Sequence, residues 1–165
     1  MKILLISDTH NMTAKLKEDI LPKYAGPVQM LIHLGDYVKD MRPFQRSYPD
    51  LPMHFVGGSF ESGEEQEKII DLGPAGANKR IMAMHGHTKD VKEGLQRLFY
   101  HAESQGVDAC FFGHTHEVFQ ETQNGVFFMN PGSITFPRNS PGMKGSFGIV
   151  TVSPAGEFSG EVLYV

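Results

Sequence analysis

The sequence predicts an α/β domain in which two packed sheets carry helices on their outer faces, and three observations predict it. Short apolar runs recur along the chain, each ending in polar or ionisable residues. The first two flank an amphipathic segment, and two hairpins marked by turn residues follow the last run. A strand–helix–strand order requires parallel pairing, whereas a hairpin is antiparallel, so the sheets are mixed.

Lys2 to Ile6 opens the chain as a continuous apolar strand of the kind covered on both faces. Residues Asn11 to Leu21 follow as a helix with Leu16, Ile20 and Leu21 on one side, Asn11 or Thr13 as its cap and Pro22 at its end. Met30 to Leu34 is the second strand, completing a βαβ unit. Pro43, Pro49 and Pro52 punctuate the next stretch, with a short helix over Lys39 to Gln45. Met53 to Val56 is the third strand, and the acidic segment Glu61 to Glu67 is a solvated loop or helical turn. Lys68 to Leu72 and Arg80 to Met84 pair around the turn cluster Gly73 to Asn78. The clearest helix runs from about Asp90 to Gln105: Val91, Leu95, Leu98, Phe99 and Ala102 form one stripe, Thr88 caps the start and Gly106 closes the end. These aromatics read as core. After Ala109 to Phe112, Asn124-Gly125 joins one hairpin and Pro154-Ala155-Gly156 a second.

Bulk properties narrow the function classes. A length of 165 residues suits one domain with a proper core, spanning residues 1–165. A net charge of −4 without any Lys/Arg run argues against a surface that coats nucleic acid. The single cysteine, Cys110, lies in an apolar run, reads as a small buried hydrophobe and fits a reducing compartment. The N-terminal apolar run reaches Asp8 too soon for a secretory signal, and no segment is long enough to span a bilayer. A cytoplasmic protein without a membrane partner is the expectation.

The ends of the apolar runs carry the chemistry. Asp8 and His10 follow the first, two apart, so persistent strand geometry would send both side chains one way. Alone, this pair reads equally well as a turn beside a surface histidine. Asp36 follows the second run, Gly57-Gly58-Ser59 the third, His85-Gly86-His87 the fourth and His114-Thr115-His116 the fifth. Ligands of open α/β sheets bind beyond the carboxyl ends of the strands, so recurrence there points to a divalent-ion site of oxygen and nitrogen donors.

Asp8-Thr9-His10, Gly35-Asp36, Gly57-Gly58-Ser59-Phe60-Glu61, His85-Gly86-His87 and Gly113-His114-Thr115-His116 resemble, in that order, the calcineurin-like metallophosphoesterases. With Asn130-Pro131-Gly132-Ser133, the spacing is similar to that of the small YfcE-type phosphodiesterases. The resemblance covers residues 1 to about 138 and implies a four-layer α-β-β-α sandwich. It also implies two divalent ions, the first on Asp8, His10 and His116, the second on His85, His114 and the Ser59 position, with Asp36 between them. The implied reaction is hydrolysis of a small phosphoester, most readily a phosphodiester, by a hydroxide bridging the ions and attacking phosphorus in line. A donor set without thiolate suits Mn, Fe, Co, Ni or Zn, with Mn the first choice for assay.

Three departures stand out. Relatives usually carry Asn where this chain has Ser59 and Asp where it has Glu61, and many carry a proton-donating His where it has Phe60. The second site is then looser, or completed by water or Glu61, and His87 is the candidate replacement acid. Asn11, Phe60 and Arg138 are the candidate substrate contacts. His33 reads as a packing or supporting residue, His54 and His101 as surface or core, and Asn130 to Ser133 as a segment ordering the cleft. The competing reading is a non-catalytic interaction module, since the retromer subunit of this fold resembles the chain and lacks the same Asn and His. Relatives often form dimers, so a homodimer is allowed by the resemblance, although no apolar stripe marks its interface.

Overall fold

Alternation along the first strand decides how the layers form. In a computed structural model, which describes residues 1–165, β1 is Lys2–Ile6. Ile3 and Leu5 point into one apolar cluster and Leu4 and Ile6 into another, the period-2 consequence of a strand covered on both faces. β2 (Met30–His33) and β3 (Met53–Phe55) add on in parallel, in the register Ile3↔Met30 and Leu31↔Met53. The second sheet is formed by β4 (Glu67–Asp71), β5 (Arg80–Met84), β6 (Ala109–Phe111), β7 (Val118–Gln123) and β8 (Val126–Pro131). β9 (Ser146–Val152) and β10 (Phe158–Tyr164) return to the first. The sheet orders are β10-β9-β1-β2-β3 and β4-β5-β6-β8-β7, both mixed.

Three apolar clusters then define four layers. Ile3, Leu5 and Ile32 meet Ile81, Phe111, Phe127 and Met129 between the sheets. Leu4, Ile6 and Leu31 meet Leu16, Ile20, Leu21 and Phe44 on the outer face of the first sheet. Met82, Met84, Cys110 and Phe128 meet Leu98 and Ala102 on the outer face of the second. The result is the α-β-β-α sandwich. Cys110 is fully buried, and desolvation pushes its thiol pKa up, so it packs as a hydrophobe.

The helices differ from expectation in instructive ways. The first starts at residue 14 and passes through Pro22, as a π-wound turn Leu16–Ile20 followed by α1 (Leu21–Tyr24). The Leu21 N–H reaches back five residues to the Leu16 carbonyl, widening the turn just before Pro22. Pro22 has no N–H to pair, and a wide turn accommodates its ring where a regular helix would clash. Neither Asn11 nor Thr13 caps it through a side chain; the Thr13 carbonyl accepts from Lys17 N–H. A 3₁₀ turn, Val38–Met41, leads into α2 (Arg42–Ser47) near the expected place. α3 is only Gln96–Gln105, because 3₁₀ residues His87–Lys89 and turns with positive φ at Asp90 and Gly94 occupy its expected start. Thr88 caps nothing there, while Gly106 closes the end in the left-handed region as expected. Both hairpins form where the turn residues place them, Asn124 and Gly125 each having the positive φ of a tight primed turn.

Leu98 carries much of the α3 packing and is fully buried. Truncating a buried leucine costs about 2–5 kcal/mol, so Leu98→Ala should lower the urea midpoint of unfolding correspondingly. An unchanged midpoint would show that α3 is not a packed layer.

Candidate metal centre

Five loops leave the carboxyl ends of β1, β2, β3, β5 and β6 and meet at one rim of the sandwich. Asp8, His10, Asp36 and His116 place potential ligand atoms all within 4.8 Å of one another, and Asp36, His85 and His114 do the same. Asp36 belongs to both sets. Its Oδ2 lies 3.9 Å from His10 Nε2 and its Oδ1 3.4 Å from His85 Nε2. In the first set His116 Nε2 is 3.1 Å from Asp8 Oδ1 and 3.5 Å from His10 Nε2. In the second His114 Nδ1 is 3.1 Å from His85 Nε2 and 3.2 Å from Ser59 Oγ.

Strand alternation does not bring these side chains together. β1 ends at Ile6, and Asp8, His10, Asp36, His114 and His116 all have φ between 45° and 68°. Left-handed conformations cost non-glycine residues of order 1–3 kcal/mol each and persist where the surroundings over-determine them. No single-sequence signal marks them, apart from the neighbouring glycines. Gly58 packs where a Cβ would lie 2.1 Å from Asp36 Oδ1, and Gly113 where one would lie 2.0 Å from Ser7 Oγ.

The donors fit a cation. The His85 and His116 Nδ1 atoms sit 2.7 Å from the Leu34 carbonyl and 2.8 Å from the Phe136 carbonyl. A carbonyl accepts only, so each Nδ1 carries the hydrogen and, in the neutral imidazole, each Nε2 presents a lone pair to the carboxylates. Asp8 Oδ1 is buried and has no hydrogen-bond partner. Lone pairs facing lone pairs in a desolvated pocket require positive charge between them.

Titration behaviour expresses the same demand. Burial would raise the Asp36 carboxyl, but the hydrogen bond and charge of His85 and the Ser59 N–H hold it well below the usual range. Asp8 is likewise lowered: burial opposes this, and the His116 and His85 imidazoles, once protonated, outweigh it. Burial pushes His85 down, yet its hydrogen bond to Asp36 and the charges of Asp8 and Asp36 bring it net upward. His114 is depressed to about 4 by burial, His85 and Lys92, and His10 is lowered chiefly by burial, so both are neutral donors near pH 7.

Residues 1–154 match the calcineurin-like phosphoesterase superfamily domain. The chain belongs to the calcineurin-like phosphoesterase superfamily. The chain is 34% identical over 141 residues to a probable metallophosphoesterase, YsnB, of Bacillus subtilis, covering 84% of this chain and 78% of that one. It is 26% identical over 145 residues to a phosphodiesterase of Methanocaldococcus jannaschii, covering 80% of this chain and 83% of that one. A crystal structure of a predicted phosphoesterase from Streptococcus pneumoniae aligns with a TM-score of 0.79 at 26% identity, covering 99% of this chain and 88% of that one. The Zn-complexed Vps29 of Entamoeba histolytica shares the fold, with a TM-score of 0.75 at 23% identity over 99% of both chains. Membership puts the chain among metal-dependent phosphoesterases.

The loops at this rim are tied down by polar residues: His33 and the Asn130 to Ser133 segment in the supporting roles expected of them, and Thr9 and Asp40, whose part no sequence pattern marks. His33 is fully buried and neutral, its pKa depressed to about 4 by desolvation. Its Nδ1 accepts from Gly35 N–H, leaving Nε2 to donate to Thr9 Oγ1 at 3.2 Å, and Thr9 donates to Asp40 Oδ2 at 2.8 Å. Asp40 also accepts from Asn11 N–H, so it braces the turn that carries His10. Asn130 donates to the Gly113 carbonyl and Thr115 Oγ1, and Ser133 donates to the Asp8 carbonyl, the ordering role expected of that segment. Glu61 is a correction. Its carboxylate accepts from the N–H groups of Tyr37, Val38 and Gly58, and so clamps two loops rather than completing the second ligand set.

The remaining expected site residues lie around the rim. Ser59 N–H donates to Asp36 Oδ1 at 2.7 Å, which places its exposed side chain beside His114. The His87 ring lies 5.4 Å from that of His85 and 6.0 Å from that of His114, outside both donor sets. Phe60 is exposed, and the Arg138 N–H bonds the His116 carbonyl while its side chain is in solvent. Asn11 lines a neighbouring cleft of about 610 Å³ with Lys17, Lys39, Asp40 and Tyr48. His101 pairs with Glu67 at 2.6 Å, away from the centre.

Gly58 supplies a prediction. A methyl group there has no room beside Asp36, so Gly58→Ala should displace the shared carboxylate and lower metal affinity by about tenfold or more, the scale on which disturbing a ligand's support acts. Isothermal titration with Mn checks this, and wild-type affinity would show that the carboxylate is not held by this approach.

Proposed function

We propose that the chain is a two-metal phosphodiesterase acting on a small phosphoester, with no nucleic-acid-coating surface and no membrane partner. The observation that carries this reading is the carboxylate of Asp36, which belongs to two separate donor sets at once. Asp8, His10 and His116 would hold the first ion and His85, His114 and Ser59 the second, with Asp36 offered to both. Divalent ions bound there supply Lewis acidity that makes water nucleophilic at neutral pH and stabilises both oxygens of an in-line displacement at phosphorus. Oxygen and imidazole donors without thiolate suit Mn first, with Fe, Zn, Co or Ni as alternatives.

The chain's own groups do the rest. Asp36 would offset the repulsion between two bound cations, and the Leu34 and Phe136 carbonyls hold the His85 and His116 rings so that Nε2 faces inward. Asn11, Phe60 and Arg138 border the place a substrate enters. His87 is the nearest remaining proton carrier, but burial and His85 lower its pKa. A general acid works best with a pKa near the operating pH, so that lowering moves His87 away from the proton-donating form at neutral pH.

Ser59 and Phe60 favour a second reading, a metal-binding interaction module. The fold likeness to Vps29 extends over the whole chain, and one Vps29 structure is a zinc complex. Metal content and hydrolysis of bis-p-nitrophenyl phosphate with added Mn separate the two. Asp36→Asn and His116→Ala should abolish metal-dependent hydrolysis with the circular dichroism spectrum unchanged; full activity in both would sink the enzyme reading. An intact pair of bound ions with no turnover on any phosphoester would favour the module. Ser59→Asn should tighten the weaker Mn site by about tenfold, measured by titration calorimetry, and an unchanged affinity would show that this position is not a ligand.

A further inference from the structure

The cleft of about 610 Å³ opens between the first helix and α2, on the outer face of the first sheet. That volume suits a small molecule. Lys17 stands on one wall, and Lys39, Asp40, Ser47 and Tyr48 come from the 3₁₀ turn and α2 opposite, with Phe44 buried between them. Neither Lys17 nor Lys39 is paired with a carboxylate, and the Lys39 ammonium stands 5.1 Å over the Tyr37 ring. Asp40 is only 7% exposed. Its Oδ2 accepts from Thr9 Oγ1 and from Asn11 N–H, both at 2.8 Å, while Oδ1 takes no hydrogen bond from the protein. A carboxylate oxygen only accepts and is costly to bury unpaired, so Oδ1 calls for a donor from the cleft.

We propose that this cleft binds a nucleoside 5′-monophosphate, at a site separate from the metal centre and independent of any hydrolysis there. Its lining makes three demands that one such molecule meets together. Two ammonium groups without carboxylate partners suit a phosphate dianion, which lysine holds as a point charge. The buried Oδ1 of Asp40 suits a ribose hydroxyl, the pairing by which acidic residues hold ribose in dinucleotide sites. Half-buried Tyr48 at the edge and Phe44 at the floor offer a base an apolar aromatic surface, and stacking tolerates any base. Inorganic phosphate leaves Asp40 and the rings unmet, and a nucleoside without phosphate leaves the ammonium groups unmet. Asp40 also joins the two places, because the carboxylate that would receive the ribose hydroxyl anchors the His10 turn through Oδ2.

Amide resonances of the zinc-loaded protein, followed by NMR during titration with AMP, report binding in the cleft and at the metal centre at different residues. Lys17, Ser47 and Tyr48 should shift together and saturate. By the same resonances adenosine and 2′,3′-dideoxy-AMP should each bind about tenfold more weakly, the scale of a lost hydrogen bond to a charged group. Lys17→Glu should weaken AMP by about tenfold or more, while Lys17→Arg keeps it and both variants hydrolyse bis-p-nitrophenyl phosphate like the wild type when AMP is absent. Shifts confined to residues around His10, Asp36 and His114 would give the nucleotide to the metal centre alone and overturn the proposal. Inorganic phosphate or ribose 5-phosphate binding as tightly as AMP at the cleft resonances would make this a site for the head group or the sugar and also overturn it. Unaltered AMP binding by Lys17→Glu would do the same.

Discussion

A carboxylate shared between two groups of imidazoles is the constraint on which the rest of the structure depends. Asp36 faces His10 with one oxygen and His85 with the other, and its charge is kept by its neighbours despite burial. Charge in a desolvated pocket is tolerated only when opposed. Everything around it either supplies or orients that opposition. The Ser59 N–H fixes Oδ1, two backbone carbonyls select the reactive nitrogen of His85 and His116, and Asp8 brings a second carboxylate with an unpaired oxygen.

Holding that arrangement places a burden on the backbone. Five of the candidate ligands are in left-handed conformations that a free chain avoids. The compensation is spread through the supports: the His33–Thr9–Asp40 hydrogen-bond chain, the Glu61 clamp on three N–H groups, and the Asn130 and Ser133 contacts. Beneath them, the inter-sheet cluster of fully buried Ile, Leu, Phe and Met side chains makes the strands a rigid platform. Strain at the rim and stability in the core are two parts of one arrangement, since polar loops could not keep these angles without the sheets below.

The second ligand set is the more open half. Ser59 is exposed and reaches only His114, whereas Asp8 at the other end is fully buried. A serine hydroxyl has a shorter reach towards an ion than a longer polar side chain, and the phenyl ring beside it carries no titratable proton. Both residues lie on the same loop, between β3 and β4, and Glu61 anchors that loop to the start of the 3₁₀ turn after Asp36. The two donor sets therefore differ in how enclosed they are, although they share Asp36.

Much of the fold was legible in the residues themselves. Apolar runs mark β1, β2, β5 and β6 because a strand covered on both faces must be apolar throughout, and Asn124-Gly125 marks its hairpin because few other residues accept that turn. The motif order pointed to the ligands at the strand ends. Local pattern misjudged the helices at Pro22 and Thr88, where a π-wound turn and a left-handed Asp90 replace the regular geometry that propensity assumes. The sequence by itself determined which side chains are available and at which strand ends they emerge, since both follow from composition and periodicity. Only the tertiary structure decided that Asp36 stands in both donor sets, that Glu61 clamps loops instead of facing an ion, and which nitrogen of each histidine points inward. Those facts depend on backbone angles and on carbonyls contributed by distant segments, and no local pattern of residues encodes them.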